Sequence, residues 1–248
     1  MTKAKDITLA AWVGHGKSTD GSWDPGCTYG DYTEADLLLP LVRYAVTALR
    51  RCEFVVLTDA YNANNINMIK QVEKSNEKGV DAHLSFHLDW SGAPKGTYPI
   101  VASKAGKALA KDINKYVKKR TGMTTRGILV SSNYYETNAT DMPAVIYECG
   151  SIKADLTRIK KAKVYGEAIA EGICAHYGVP YAKDVPFLVK TKGKLIIRNT
   201  SSLTSKRIGK TEKGGVYTIV KVTSNGNRGK LKSGAGWITI TDKYCDIL

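Results

Sequence analysis

The 248-residue chain has no apolar run long enough to span a membrane, so membrane insertion is not expected. Nothing ahead of its first apolar stretch has the makeup of a secretion signal. Met1 to Asp6 is short and polar, so the chain is expected to be made in the cytoplasm and to need another exit if it acts outside. The five cysteines, at positions 27, 52, 149, 174 and 245, are odd in number and include no CxxC pair, so they are read as reduced thiols rather than a disulfide framework or a cysteine zinc site. Acidic residues are outnumbered, 23 Asp and Glu against 37 Lys and Arg. That excess is uneven: residues 181–248 carry 14 Lys and Arg against 4 Asp and Glu, or +10 of the total +14. A basic tail of that kind favours a polyanionic partner such as nucleic acid, an anionic membrane or an acidic wall polymer. There is no internal repeat and no low-complexity segment.

What is present is an ordinary globular composition, 43% hydrophobic and 24% charged, which supplies a sizeable core. Apolar runs at Ile7–Val13, Phe54–Leu57, Asp81–His87, Tyr98–Ala102 and Pro143–Tyr147 read as strands, with a short one at Gly127–Val130. Between them lie helical patterns at Asn64–Lys78, stopped by Gly79, at Lys104–Lys119, and at Asp155–Tyr177. Thr33 caps a further helical region, although Pro40 argues for a short turn and a helix that starts near that proline. The lysines of 104–119 mark a solvated face, because no aromatic platform interleaves with them. The alternation predicts an α/β domain over residues 1–178, a mostly parallel sheet flanked by helices. A linker is expected over 179–190. From 191 to 248 the pattern changes to short β-branched runs, Leu195–Ile197, Val216–Val222 and Trp237–Ile240, separated by turns at Gly214-Gly215, Asn225-Gly226 and Gly234-Ala235-Gly236. A small all-β barrel is the expectation there.

Three apolar runs stop at residues able to hold a metal or move a proton. The first ends at Gly14-His15-Gly16, where the glycines leave the histidine open to close approach; the others end at His87 and Glu148. As parallel strands, they would bring these residues to one sheet edge. Hydrolytic zinc usually takes three protein ligands and keeps a fourth position for water. His15, His87 and a carboxylate would supply that set, with Glu34, in the first turn of the helix after the His15 loop, as the best candidate. Glu148 is then placed to carry the proton. His83, four residues before His87 on the same strand, lies about 13 Å away and is read as structural. His176 is read as a surface residue at a helix C-terminus and Cys149 as a core thiol. Spacing alone also fits four unrelated polar residues at loop starts.

The ordered set Gly14-His15-Gly16, Asp24-Pro25-Gly26, Glu34, Ser85-Phe86-His87 and Met142 to Gly150 resembles the type 3 N-acetylmuramoyl-L-alanine amidases over roughly Ile7–Tyr177. The resemblance implies that His15, Glu34 and His87 hold zinc and that Glu148 is the catalytic glutamate. It also implies hydrolysis of the amide between N-acetylmuramic acid and L-alanine in peptidoglycan. Two departures touch the substrate rim: Lys17–Trp23 intervene before the Asp-Pro-Gly turn, and Asp89 stands where an asparagine is usual.

The tail resembles bacterial SH3-like wall-binding modules through Leu195 to Asn199, Lys213 to Tyr217 and Gly236-Trp237-Ile238, with Ser201-Ser202 in place of the customary Gly-Pro. Tyr217 and Trp237 are either ligand platforms or barrel core, with core favoured for Trp237. Catalytic domain, basic wall-binding tail and the missing secretion signal together look like a bacteriophage endolysin released by a holin, with a truncated host autolysin as the alternative. Its implied partners are peptidoglycan and anionic wall polymers rather than nucleic acid. A stem-peptide zinc peptidase and a non-enzymatic basic binding protein are the rival readings.

Overall fold

The computed structural model describes residues 3–61, 65–223, 227–241 and 243–248, which form two compact units, Met1–Val179 and Pro180–Leu248. The first unit holds strands β1 (Thr8–Val13), β2 (Val55–Leu57), β3 (Ala82–Asp89), β4 (Ile100–Val101), β5 (Leu129–Val130) and β6 (Ala144–Ser151). Its helices are α1 (Glu34–Arg51), α2 (Met68–Lys78), α3 (Lys104–Thr121), α4 (Tyr135–Asn138), α5 (Leu156–Ile159) and α6 (Ala162–His176). The sheet order is β2-β1-β3-β6-β4-β5, parallel through its first four strands, with β4 running antiparallel to β6. Central parallel strands are covered on both faces, which is why Leu9–Val13 is buried without interruption.

One face of the sheet is covered by α1, α3 and α6. The helix α6 lies close to both neighbours at its glycines. A Cβ on Gly166 would stand 2.5 Å from the Leu41 carbonyl, and one on Gly172 would stand 2.6 Å from the Ile113 Cα. On the opposite face, α2 is tied to the sheet by the Trp12 Nε1 bond to Ser75 Oγ at 3.0 Å. Trp12 packs there with Ala10 and Val80.

Several expectations need correction. The helix that follows Thr33 does not wait for Pro40 but runs unbroken from Glu34, with the proline inside it. Proline removes the N–H that would bond to the Asp36 carbonyl, and both residues lie on the exposed side of the helix, where that carbonyl faces solvent. The strands carrying His87 and Glu148 continue past them, to Asp89 and Ser151. The pairing is held through a register shift between Glu148 and Ser151. Helix α2 starts at Met68, capped by Asn67; Asn64, where a start was expected, lies outside the described residues. No helix among the described residues is long and apolar enough to cross a membrane.

The second unit is a seven-stranded antiparallel sheet. Its strands are β7 (Phe187–Thr191), β8 (Ile196–Arg198), β9 (Arg207–Lys210), β10 (Val216–Val222), β11 (Arg228–Leu231), β12 (Trp237–Thr239) and β13 (Cys245–Ile247). They are ordered β9-β8-β12-β11-β10-β7-β13. Residues 187–190, expected within the linker, belong to its strand β7 and pair with β10. Its core is Val189, Leu195, Ile197, Ile219, Leu231, Ile238, Ile240 and Cys245, with Tyr217 packed against it. Trp237 is not among them: it pairs with Arg198, on the face opposite Ile197 and Ile238. The expected turn at Asn225-Gly226 lies outside the described residues.

Candidate active site

The parallel register assembles the site. Val13 pairs with Phe86, Gly14 N–H donates to the Phe86 carbonyl at 2.9 Å, and Glu148 pairs directly with His87. Residues more than a hundred positions apart therefore meet at the carboxyl end of the sheet, where open α/β sheets place their ligands. The chain turns out of β1 with His15 in the left-handed region, φ +62°, a conformation that costs energy for a side chain bearing a Cβ and is typical of functional positions. Thr33 caps α1 by accepting the Asp36 N–H, which leaves Glu34 as the first helical residue, pointing inward and 2% exposed.

Ligand atoms of His15, Glu34 and His87 all lie within 4.8 Å of one another. Glu34 Oε1 is 3.4 Å from His15 Nε2 and 3.1 Å from His87 Nδ1. The carboxylate is steadied by backbone donors, Leu88 N–H to Oε1 at 2.8 Å and Cys27 N–H to Oε2 at 3.0 Å. Burial alone would raise its pKa. The bond from His87 and the charges of His87 and His15 outweigh that and hold the carboxyl below its ordinary range. Two imidazoles and one carboxylate are a donor set suited to zinc with an open position.

Each histidine is held from behind. Asp24 Oδ2 lies 2.8 Å from His15 Nδ1, and Asp24 Oδ1 accepts the Gly26 N–H at 2.9 Å. On His87, Nε2 is 3.0 Å from Ser85 Oγ and 3.7 Å from Glu136 Oε2. A carboxylate behind a ligating imidazole fixes its ring and tautomer. Sequence reasoning treated Asp24 only as part of a turn and missed Glu136 altogether. The stretch Thr121–Asp141 has no periodicity to mark it, yet it folds one turn, α4, that buries Glu136. Its Oε1 is enclosed without a partner.

Glu148 is the fourth carboxylate. Its Oε2 is buried with no hydrogen-bond partner. Burial first, then the charges of Glu34 and Asp89, push its pKa up to about 7, against the opposing pull of His87 and Arg126. Asp89 is bound to Arg126 at 2.5 Å, and the Arg126 guanidinium lies over the Tyr98 ring at 4.6 Å. The asparagine-to-aspartate departure therefore places an ion pair on the rim beside Glu148. A cavity of about 320 Å³ opens onto the histidines, walled by Lys17, Ser18 and Thr19 of the intervening Lys17–Trp23 stretch, which folds as a hairpin with Lys17 paired to Trp23, and by Ile66 to Met68.

The remaining candidates fall elsewhere. His83 is fully buried, its Nδ1 2.9 Å from Ser75 Oγ, and burial pushes its pKa down to about 4, so it is a neutral structural imidazole. His176 ends α6 and pairs with Asp112 at 2.9 Å. Cys149 is buried, with burial and the Glu148 charge raising its thiol well above the usual range. All five cysteines are free thiols.

Gly14 has no room for a side chain: a Cβ would stand 2.5 Å from the Phe86 carbonyl oxygen and 2.6 Å from the His87 ring. Gly14→Ala is therefore expected to displace His87 and to lower the affinity of the His15, Glu34 and His87 cluster for a divalent metal by about tenfold or more, the scale of effects on supporting residues. Chelator competition reads that loss, with circular dichroism to show that the fold is kept.

The solved structures similar to this chain include the N-acetylmuramoyl-L-alanine amidase AmiC2 of Nostoc punctiforme, at 21% identity and TM-score 0.61, covering 71% of this chain and 99% of that one. Another is the catalytic domain of CwlV, an N-acetylmuramoyl-L-alanine amidase from Bacillus (Paenibacillus) polymyxa, at 24% identity and TM-score 0.60, covering 70% and 99%. Both likenesses concern the fold. In sequence, an uncharacterized 38.4 kDa protein of Clostridium perfringens is 33% identical over 132 residues, covering 49% of this chain. The chain spans only 39% of the length of that relative. The family model described as N-acetylmuramoyl-L-alanine amidase matches residues 12–175, more than half of the 248 residues and the stretch from the end of β1 into α6 that includes His15, Glu34, His87 and Glu148, and the chain belongs to that family.

Proposed function

We propose that the protein is a zinc-dependent N-acetylmuramoyl-L-alanine amidase, built in the manner of a phage endolysin from a catalytic unit and an SH3-like wall-binding module. The observation that carries the catalytic reading is the His15, Glu34 and His87 cluster within 4.8 Å, with Glu148 in register beside His87. In this reading His15, Glu34 and His87 are the zinc ligands and Glu148 is the catalytic acid and base.

Zinc bound to those donors supplies Lewis-acid polarisation of the scissile carbonyl and acidification of water near neutral pH. Glu148 takes the proton from the attacking water and delivers it to the departing amine of L-alanine. An oxygen–carbon bond forms and the carbon–nitrogen bond breaks, leaving a lactyl carboxylate on the sugar and a free amino terminus on the peptide. In the metal-free protein burial raises the Glu148 carboxyl above its ordinary range, the direction required of a group that serves in turn as base and acid. Asp24 and Glu136 hold the imidazoles in place while this happens.

Mass spectrometry of a purified-wall digest tests the bond assignment. A free lactyl carboxylate together with N-terminal L-alanine is the expected result. Cleavage inside the stem peptide with the lactyl amide intact would make the protein a peptidase instead.

The tail raises local enzyme concentration on the wall without touching the chemistry. A chain ending at Val179 is expected to lyse walls more slowly than the full chain at low salt, with the gap narrowing as rising ionic strength screens the tail's charge. Equal rates at every salt concentration would remove the tail from lysis. For the endolysin role, host cells making the protein should lyse only when a pore-forming protein opens the membrane. Lysis without one would point to a different route to the wall.

A further inference from the structure

The second unit carries a row of like charges that its own folding does not require. Strand pairing sets Arg207 opposite Arg198, Arg198 opposite Trp237, Trp237 opposite Lys230, and Lys230 opposite Lys221. These five residues cross the adjacent strands β9, β8, β12, β11 and β10 on the face away from the core, where Ile197, Ile238 and Gly229 point the other way. At the usual strand spacing the row is about 19 Å long. Arg207, Lys230 and Lys221 are exposed, whereas Arg198 and Trp237 are half-buried.

Like charges directly opposite one another destabilise a sheet, and this row contains two such pairs, Arg207 with Arg198 and Lys230 with Lys221. No ion pair relieves them: among the described residues Glu212 is taken by Lys194 and Asp246 by Lys192, and none reaches the row. The Arg198 guanidinium donates to a neutral acceptor, the Ser205 carbonyl at 2.5 Å. On the same face Arg228 is 5% exposed and gives its terminal N–H groups to Thr239 Oγ1 and the Trp237 carbonyl, and its Nε is buried without a partner. An uncompensated cationic row around an aromatic ring is a cost to stability, offset if an anion binds there.

We infer that this face binds a linear wall polymer whose sugar or alditol units are joined by phosphodiesters, with the guanidinium and ammonium groups on successive phosphates and Trp237 under a sugar face. The inference rests on the wall-lytic reading of the catalytic unit. A single aromatic in the row disfavours single-stranded nucleic acid, which is held on successive stacking platforms. Guanidinium groups match phosphate oxygens in a fixed fork, and four cations over that length suit a repeating anion better than an isolated carboxylate.

The test uses the full chain. Co-sedimentation with intact walls and with walls stripped of phosphodiester polymer by hydrofluoric acid compares wild type, the double variant Lys221→Glu/Lys230→Glu and the surface control Lys107→Glu. Wild type and control are expected to bind intact walls at least tenfold more tightly than stripped ones. The double variant is expected to lose about tenfold on intact walls and nothing on stripped ones. Equal wild-type binding to both walls, or an unchanged double variant, would overturn the inference, as would equally tight binding of duplex DNA. Amide hydrolysis on stripped peptidoglycan separates the two readings. Retained hydrolysis with lost polymer binding assigns the row to the polymer, whereas absent hydrolysis in wild type defeats the amidase reading and leaves the binding result standing on its own.

Discussion

Glu148→Gln should leave the protein folded and able to bind zinc, while its rate of wall hydrolysis falls by about 10²–10⁴-fold, the range for removing a general acid and base. Labelling of the newly released L-alanine amino terminus measures the rate, and metal analysis of the same sample shows the zinc. A zinc-loaded variant hydrolysing at the wild-type rate would remove Glu148 from the chemistry. The same substitution has a thermodynamic signature in metal-free protein. Folding raises the Glu148 pKa from 4.5 to about 7 by burial and by the neighbouring Glu34 and Asp89 charges. The folded state therefore favours the protonated carboxyl, so this contribution to stability is fully present below about 4.5 and is lost as pH rises through about 7. Glutamine has no proton to lose. Metal-free Glu148→Gln is expected to exceed wild type by about 3 kcal/mol at pH 8 and to match its pH dependence at the acidic end. Denaturant titrations at the two ends of that range check the sign.

Removing the metal should have the second large effect. Dialysis against a chelator is expected to abolish hydrolysis, and one equivalent of zinc to restore it. On the proposed reading zinc binds the assembled cluster rather than the unfolded chain, so free zinc at a thousand times its dissociation constant is expected to add about 4 kcal/mol of stability, visible as a fall in Tm on chelation. His15→Ala removes one of the three donors and breaks the geometry that Asp24 maintains. That variant should show the same Tm with and without chelator, and no hydrolysis in either state. Hydrolysis surviving exhaustive chelation, or a Tm indifferent to zinc in the wild-type chain, would leave the cluster without its proposed role.

Much of the sheet and the cluster was legible because parallel strands buried on both faces must be continuously apolar, so their ends stand out as the first polar residue. His15 lies two residues past the end of β1, whereas His87 and Glu148 are the first residues of β3 and β6 that are not fully buried, two and three positions before those strands end. Glu34 was legible for a different reason, the capping threonine just before it. Glu136 was not. A lone carboxylate in an aperiodic stretch carries no local mark, and only the packing of α4 against β6, the neighbour of β3, brings it within 3.7 Å of His87. Pro40 misled because proline is costly inside a helix, whereas the lost bond here falls on the solvent side. In the tail, the face occupied by Trp237 is set by pairing with Arg198 and Lys230, and those partners are 39 and 7 positions away, respectively, beyond the reach of local alternation.

The direct pairing of Glu148 with His87 limits how this enzyme can vary. Neighbouring strands repeat at a fixed separation and side chains alternate faces, so inserting one residue upstream in either strand would turn the acid or the ligand to the wrong side. Inheritance can reshape the rim through loops such as Lys17–Trp23, where length is free. The distance between Glu148 and His87, the proposed proton carrier and metal ligand, is not free in that sense: lineages that alter the number of residues between Pro143 and Glu148 should keep the fold and lose the proposed catalyst in a single step.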